Sequence, residues 1–270
     1  SSFVIIYGRR RVGKTALINA FLRLHPGTNL YYLATQEPEP QNRAAFRNQV
    51  ADLTGNELLK SADADWLTLF RLFAEYPTPE RKILVLDEFQ YLGASDPAFP
   101  SIVQKAWDTV LKDADIMLIL CGSLITLMKQ QTLDYSSPLY GRRTAQLKLN
   151  PFTFDETCRL FGKFGGEDKA LLYGMFGGTP QYLLQVSDKM SVADNVKNTY
   201  LNPASAIFEE PVNLLKQEVR EPAIYTAIIS AIAARASAVR MTSFSIGNEC
   251  IKIDTDVSMR SETTFSYLIV

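Results

Sequence analysis

Short apolar runs alternate with longer stretches of mixed polarity through the first half of the chain. Phe3-Val4-Ile5-Ile6-Tyr7 is β-branched and aromatic and too short for a helix, so it reads as a buried strand. Ile83-Leu84-Val85-Leu86 has no polar alternation at all, which is expected of a strand covered on both faces in a parallel sheet. Asn29 to Leu33 is a further candidate strand, and the run from Ile116 to Cys121 another, closed by Gly122-Ser123. Helical patterns are expected from Ala16 to Leu22 and around Asn42 to Leu53. The alternation predicts an α/β architecture built on a parallel sheet. From Leu149-Asn150-Pro151-Phe152 onward the pattern is mostly helical, which makes that segment a candidate hinge; a second lies near Ala234 to Ser237. The expected division is a core over 1–150, a helical domain over 151–234 and a small module over 235–270.

The segment after the first strand carries chemistry. Gly8-Arg9-Arg10-Arg11-Val12-Gly13-Lys14-Thr15-Ala16 contains the G-x-x-x-x-G-K-[ST] pattern between a strand and a helix, the context that a phosphate-cradling loop requires. Glycines let backbone N–H groups turn inward, and the helix N-terminus adds partial positive charge. Lys14 is expected to reach the β- and γ-phosphates of a nucleoside triphosphate, and the Thr15 hydroxyl to ligate Mg2+. Arg9, Arg10 and Arg11 fill the variable positions as a solvated rim that raises the local potential for an anion.

The strand Ile83–Leu86 ends in Asp87-Glu88, where open α/β sheets place their ligands. Asp87 is expected to hold Mg2+ through its water shell, the Walker B role. Glu88, expected to point the other way along the strand, would orient or deprotonate an attacking water. Ser123 closes the later apolar run. It fits either a polar sensor of the γ-phosphate or the N-cap of a helix over Leu124 to Lys129.

Composition adds mainly exclusions. The chain has 270 residues, 47% of them apolar, and a net charge of -1, so there is no global basic field. Cys121, Cys158 and Cys250 lack paired spacing, and His25 is the only histidine. A disulfide framework, a zinc site and histidine-based nucleophilic catalysis are therefore not expected. His25 stands at the end of the first helix, where an imidazole can interact with the last carbonyls. No apolar run approaches the length of a bilayer span and no signal-peptide pattern opens the chain, so the expected location is cytoplasmic. The sequence begins without methionine and ends inside an apolar periodic segment, as expected of a piece of a longer protein.

YGRRRVGKTALI, ILVLDEFQYL, LILCGSLITLM, PLYGRRTAQLKLNPF, GMFGGTPQYLL and FEEPVNLLKQEVREPAIYTAII follow in that order from Ser1 to about Ala234. Together they resemble the archaeal-type ATPase family, a branch of the STAND and AAA+-like P-loop NTPases. The resemblance implies a P-loop sheet with an extra strand between the Walker motifs, a helical lid over 151–234 and a partial winged helix-turn-helix over 235–270. It implies ATP with Mg2+ as the bound pair. It also directs attention to Arg142 and Arg143, either of which could reach a γ-phosphate in its own or a neighbouring subunit, or be a salt-bridged loop arginine. Gly177-Gly178-Thr179-Pro180 resembles the lid's G-x-P motif, with Pro180 an early helix residue. A homo-oligomer is compatible with such a protein.

The tail is expected as a helix over Ser243 to Ile251, a turn over Lys252 to Asp256 and a helix over Val257 to Val270. From Met241 onward, Lys252 and Arg260 stand against Glu249, Asp254, Asp256 and Glu262. That balance supplies little for neutralising DNA phosphates, so a protein contact is the larger expectation and DNA the smaller. Two functions follow. One is Mg-dependent ATP binding and hydrolysis coupled to movement of the lid and tail. The alternative is a nucleotide-gated switch whose hydrolysis is slow or triggered by a partner. A kinase fits less well, because a water-activating glutamate opposes the exclusion of water. A GTPase fits less well because no N-K-x-D motif is present.

Overall fold

The computed structural model describes residues 1–219, 221–236, 244–246 and 249–251. The chain divides into two compact units, the first from Ser1 to Pro151 and the second beginning at Phe152.

The first unit is built on a five-stranded sheet of β1 (Ser2–Tyr7), β2 (Asn29–Leu33), β3 (Lys82–Asp87), β4 (Ile116–Gly122) and β5 (Ala145–Lys148). Its order is β2-β3-β4-β1-β5 and every pairing is parallel. β4 thus lies between the strand that feeds the glycine-rich loop and the strand that ends in Asp87, the arrangement expected from the sequence. Every residue of β3 is buried, which explains its unbroken apolar run.

Alternation along the strands divides the core between two faces. Ile6, Ile83, Val85, Ile119 and Cys121 pack with Ile18 of α1 (Lys14–Leu24) on one face. Phe3, Ile5, Leu84, Leu86, Leu118 and Leu120 pack on the other. There they meet Phe46 and Val50 of α2 (Glu39–Thr54), Phe70 and Phe73 of α3 (Trp66–Glu75), Phe89 of α4 (Phe89–Ser95) and Phe99 of α5 (Phe99–Thr109).

Helix ends follow from local chemistry. α2 starts three residues earlier than the apolar pattern suggests, with Pro40 in its first turn, where no N–H partner is lost. α1 ends at His25, whose backbone N–H donates to Phe21 O at 3.1 Å while its ring packs against that of Phe21. Asp65 caps α3, accepting the Thr68 N–H at 2.8 Å. These bonds from Thr68 hold the Asp65 carboxyl below its ordinary value. Asp65→Ala is expected to cost about 1 kcal/mol of stability at neutral pH. A depressed folded-state value means that this contribution is present above the unfolded pKa and is lost as pH falls through the folded one. Urea denaturation of both chains at neutral and at strongly acidic pH checks it: the gap should close in acid.

The second unit holds α7 (Phe154–Leu160), α8 (Gly166–Phe176), α9 (Pro180–Leu183), α10 (Val192–Thr199), α11 (Glu210–Glu218) and α12 (Pro222–Ala236). Phe161, Leu172, Phe176, Leu183, Val196, Tyr200 and Ile207 form its core. A reciprocal Thr153–Glu156 capping box starts α7. Gly177, at φ 61°, ends α8, and Pro180 opens α9, as the sequence suggests. Gly178 lies directly against the chain at Phe152: it accepts the Phe152 N–H at 2.8 Å, and a Cβ at 178 would stand 1.8 Å from Phe152 O.

One expectation for the tail is corrected. Within the stretch read as a helix from Ser243 to Ile251, β6 (Phe244–Ile246) and β7 (Glu249–Ile251) pair antiparallel, Ile246 opposite Glu249. The sequence between them is Gly247-Asn248, a dipeptide that favours a two-residue hairpin connection. The expected turn over Lys252 to Asp256 and helix over Val257 to Val270 lie outside the described residues. Among the described residues, no helix is long and apolar enough to cross a membrane.

Candidate functional site

β1 delivers the chain at Tyr7 into the glycine-rich loop, and α1 begins at Lys14. Gly8 has no room for a side chain, since a Cβ there would meet Leu149 O at 2.2 Å. Gly13, at φ 93°, makes the left-handed turn that starts α1 and aims the helix N-terminus at the loop. Lys14 is buried, and its Nζ donates to Gly8 O at 3.0 Å and Arg9 O at 2.8 Å, tying the loop to itself. Burial lowers its pKa, and the nearby Cys121, Glu88 and Asp87 oppose the shift. Val12 is buried, whereas Thr15 and Ala16 are exposed at the start of the helix. Arg10 donates from its guanidinium to the Tyr91 hydroxyl at 2.7 Å, so it also braces the loop against α4.

Across from the loop stands Asp87, buried at the carboxyl end of β3. Its Oδ2 accepts the Thr15 hydroxyl at 3.0 Å and the Tyr31 hydroxyl, and its Oδ1 accepts the Glu88 N–H at 2.8 Å. Cys121 near the end of β4 lies beside the same carboxylate. Burial, with Asp87 beside it, pushes the Cys121 thiol well up. Cys121 and Cys158 are free thiols.

Glu88 is not the next residue of the strand. It has already left β3, in a left-handed conformation of φ 53° and ψ 39°, and forms the N-cap position of α4. That turn, rather than strand alternation, aims its carboxylate. Glu88 Oε2 accepts the Ser123 hydroxyl at 2.8 Å and the Gln90 side-chain amide. The same Gln90 amide reaches Ser123 Oγ at 3.4 Å. Of the two readings of Ser123, the helix cap is corrected. The helix α6 (Ile125–Met128) has Leu124 at its N-cap position and no side-chain cap, while Ser123 is turned to Glu88.

Arg142 and Arg143 are not brought to this end of the sheet. They precede β5, whose Ala145 pairs with Val4, and the Thr144 N–H donates to Phe3 O at 2.8 Å. They therefore stand at the amino ends of the strands, roughly 13 Å along β1 from the loop. Arg142 forms a forked ion pair with Asp108, its Nε at 3.1 Å from both carboxylate oxygens, and also donates to Pro138 O at 2.8 Å. The Arg143 guanidinium lies over the Tyr140 ring. The expectation that either reaches a γ-phosphate within its own chain is corrected by this placement.

Tyr31, Gln90 and Tyr91 were not singled out by the sequence. The Asp-Glu-Phe-Gln run held the only local signal for Gln90. Tyr31 becomes visible only once β2 is known to lie beside β3.

A parallel sheet of this order, with Lys14 and Thr15 after one strand and Asp87 on the next but one, defines a P-loop nucleotide-binding domain of the class with an added central strand. The chain belongs to the family described as "ATPase domain predominantly from Archaea", whose profile matches residues 1–186. An uncharacterized protein of Methanocaldococcus jannaschii is 34% identical over 231 residues, covering 86% of this chain and 49% of its own length. The chain thus spans about half the length of that relative. Two solved structures share the fold. The Walker-type ATPase PABY2304 of Pyrococcus abyssi is similar with a TM-score of 0.54 and 20% identity, over 86% of this chain and 75% of that one. The ORC2 protein of Aeropyrum pernix, in its ADPNP-ADP complexes, is similar with a TM-score of 0.55 and 14% identity, over 91% of this chain and 71% of that one.

Proposed function

We propose that the first unit binds ATP with Mg2+ and hydrolyses its γ-phosphate, and that the second unit serves as the lid that responds. The observation that carries this reading is the junction of Thr15, Asp87 and Glu88. A hydroxyl and a carboxylate meet at 3.0 Å across the loop, with a second carboxylate one residue on.

The donor set fits Mg2+. All the groups are hard oxygen ligands, and Mg2+ is ordinarily held by one or two carboxylates and substrate phosphates rather than by a full protein cage. Thr15 would give the metal its hydroxyl oxygen while still donating its proton to Asp87, and Asp87 would hold the metal's water shell. When bound, the metal supplies neutralisation of charge on the β- and γ-phosphate oxygens.

The remaining work falls to the chain. Loop N–H groups and the α1 terminus bind the phosphates, and Lys14 exchanges the carbonyls of Gly8 and Arg9 for phosphate oxygens. Glu88 takes a proton from water as the water oxygen bonds to the γ-phosphorus. The bond from that phosphorus to the bridging oxygen breaks, leaving ADP and phosphate. Ser123 and Gln90 both engage Oε2, so neither occupies the Oε1 edge of the carboxylate. Adenine rather than guanine is taken from the family.

Measuring phosphate release against Mg2+ concentration tests the proposal. Turnover should rise with Mg2+ and disappear in EDTA. ATP consumption that is indifferent to the metal, or none at any Mg2+ concentration, would sink it.

The placement of Arg142 and Arg143 favours a second reading alongside the first. With neither arginine near the loop of its own chain, an arginine of this motif could meet the charge developing on the γ-phosphate only in a neighbouring molecule. A homo-oligomer could bring Arg143 to a neighbour's nucleotide; a protein or DNA partner at the C-terminal module could trigger the same step. Hydrolysis by the isolated chain would then be slow and the nucleotide long retained. Turnover per chain that rises with protein concentration supports this form.

A further inference from the structure

The two tyrosines of β2 send their hydroxyls to opposite faces of the sheet and into different surroundings. Tyr32 faces the large core and is buried, and its hydroxyl donates to Asn42 O at 2.9 Å and Asn42 Oδ1 at 2.7 Å. Asn42 itself is fully buried and ties α2 to the turn after β2, through Thr35 and Glu37. That arrangement is structural.

Tyr31 faces the α1 side. Its ring packs beside the cluster of Ile83, Val85 and Ile119, a place that phenylalanine would fill equally well. Its register partner is Val85, two positions before Asp87 on β3, so only a side chain as long as a phenol reaches the strand end. The hydroxyl does reach it, and it donates to Asp87 Oδ2, the oxygen that also accepts Thr15. Three donors from three elements therefore fix one buried carboxylate: Thr15 from α1, Tyr31 from β2 and the Glu88 N–H from the start of α4.

We propose that Tyr31 is a positioning residue for the metal, because its hydroxyl and that of Thr15 together set the orientation in which Asp87 faces the metal's water shell. The inference rests on the reading of Thr15 and Asp87 as the Mg2+ site. Thr15 must keep donating to Asp87 while its oxygen lone pair turns to the metal, and that requires the carboxylate to stay where it is. With Tyr31 removed, Asp87 keeps only the Thr15 and Glu88 donors, so the carboxylate gains freedom to turn and the Thr15 oxygen loses part of its fixed direction. Groups that orient metal ligands from behind commonly change metal affinity by 10- to 100-fold when removed.

The test compares Tyr31→Phe with Tyr32→Phe, two chains that each lose one phenol oxygen at neighbouring positions. Binding of a fluorescent ADP analogue is followed as Mg2+ is added from zero, and Mn2+ binding in the presence of ADP is read by electron paramagnetic resonance. In Tyr31→Phe the metal concentration at half-effect should rise by about 10-fold or more. Nucleotide affinity in EDTA should stay close to that of the unmodified chain, although the lost bond to a buried carboxylate lowers the thermal midpoint. Tyr32→Phe should lower the thermal midpoint as well but leave the metal dependence unmoved. A metal dependence in the unmodified chain that Tyr31→Phe leaves unchanged overturns the inference alone. Nucleotide binding with no metal dependence in the unmodified chain overturns the reading of the site, and the inference with it.

Discussion

Glu88→Gln is expected to lower ATP turnover by about 100- to 10,000-fold, the range usually lost with a general base, while nucleotide affinity stays close to that of the unmodified chain. The structure makes this substitution a clean one. Both donors to the carboxylate, the Ser123 hydroxyl and the Gln90 amide, converge on Oε2. A glutamine can place its amide oxygen there and keep both, and it surrenders only the capacity to take a proton. Single-turnover phosphate release, with mantADP binding as the control, reads the two effects separately. Turnover in the variant equal to that of the unmodified chain would remove Glu88 from the reaction. A loss of binding as large as the loss of turnover would make it a structural residue.

Lys14→Ala is expected to weaken triphosphate binding by at least about 100-fold, since hydrogen bonds to charged groups contribute roughly 1.5–3 kcal/mol each and this ammonium would make at least two. The geometry strengthens the expectation. Lys14 is buried and already holds Gly8 O and Arg9 O, so its charge stands in place before any phosphate arrives. In thermal unfolding, a nucleotide concentration that clearly raises the midpoint of the unmodified chain should leave Lys14→Ala unmoved. An equal rise in both would mean that the loop is not where the phosphates bind.

Much of the first unit was legible because its evidence is local. The loop is one continuous stretch, and β1, β2, β3 and β4 each carry an apolar run that a short window detects. β5 escaped for the opposite reason: Ala145, Gln146, Leu147 and Lys148 are all exposed, so this edge strand has no apolar run to show. Residues that meet through strand order are harder still. Nothing between Tyr31 and Asp87 in the sequence says that β2 and β3 are neighbours. The sequence also could not say that Glu88 leaves the strand, since that depends on one positive φ. For Arg142 and Arg143, the family resemblance points to a γ-phosphate role, but β5 begins beside Val4 and must run its length before the chain reaches Leu149 beside the loop, so both arginines stand at the other end of the sheet. In the tail, a helical reading missed that Gly247-Asn248 separates two short β-prone segments.

The backbone at Glu88 has a consequence for what could ever occupy that position. A left-handed conformation costs a side chain other than glycine about 1 kcal/mol or more. Asparagine and aspartate tolerate it better, and glycine adopts it freely. A carboxylate therefore stands there against the preference of its own backbone, and glycine at 88 would relieve that turn only by giving up the bonds from Ser123 and Gln90.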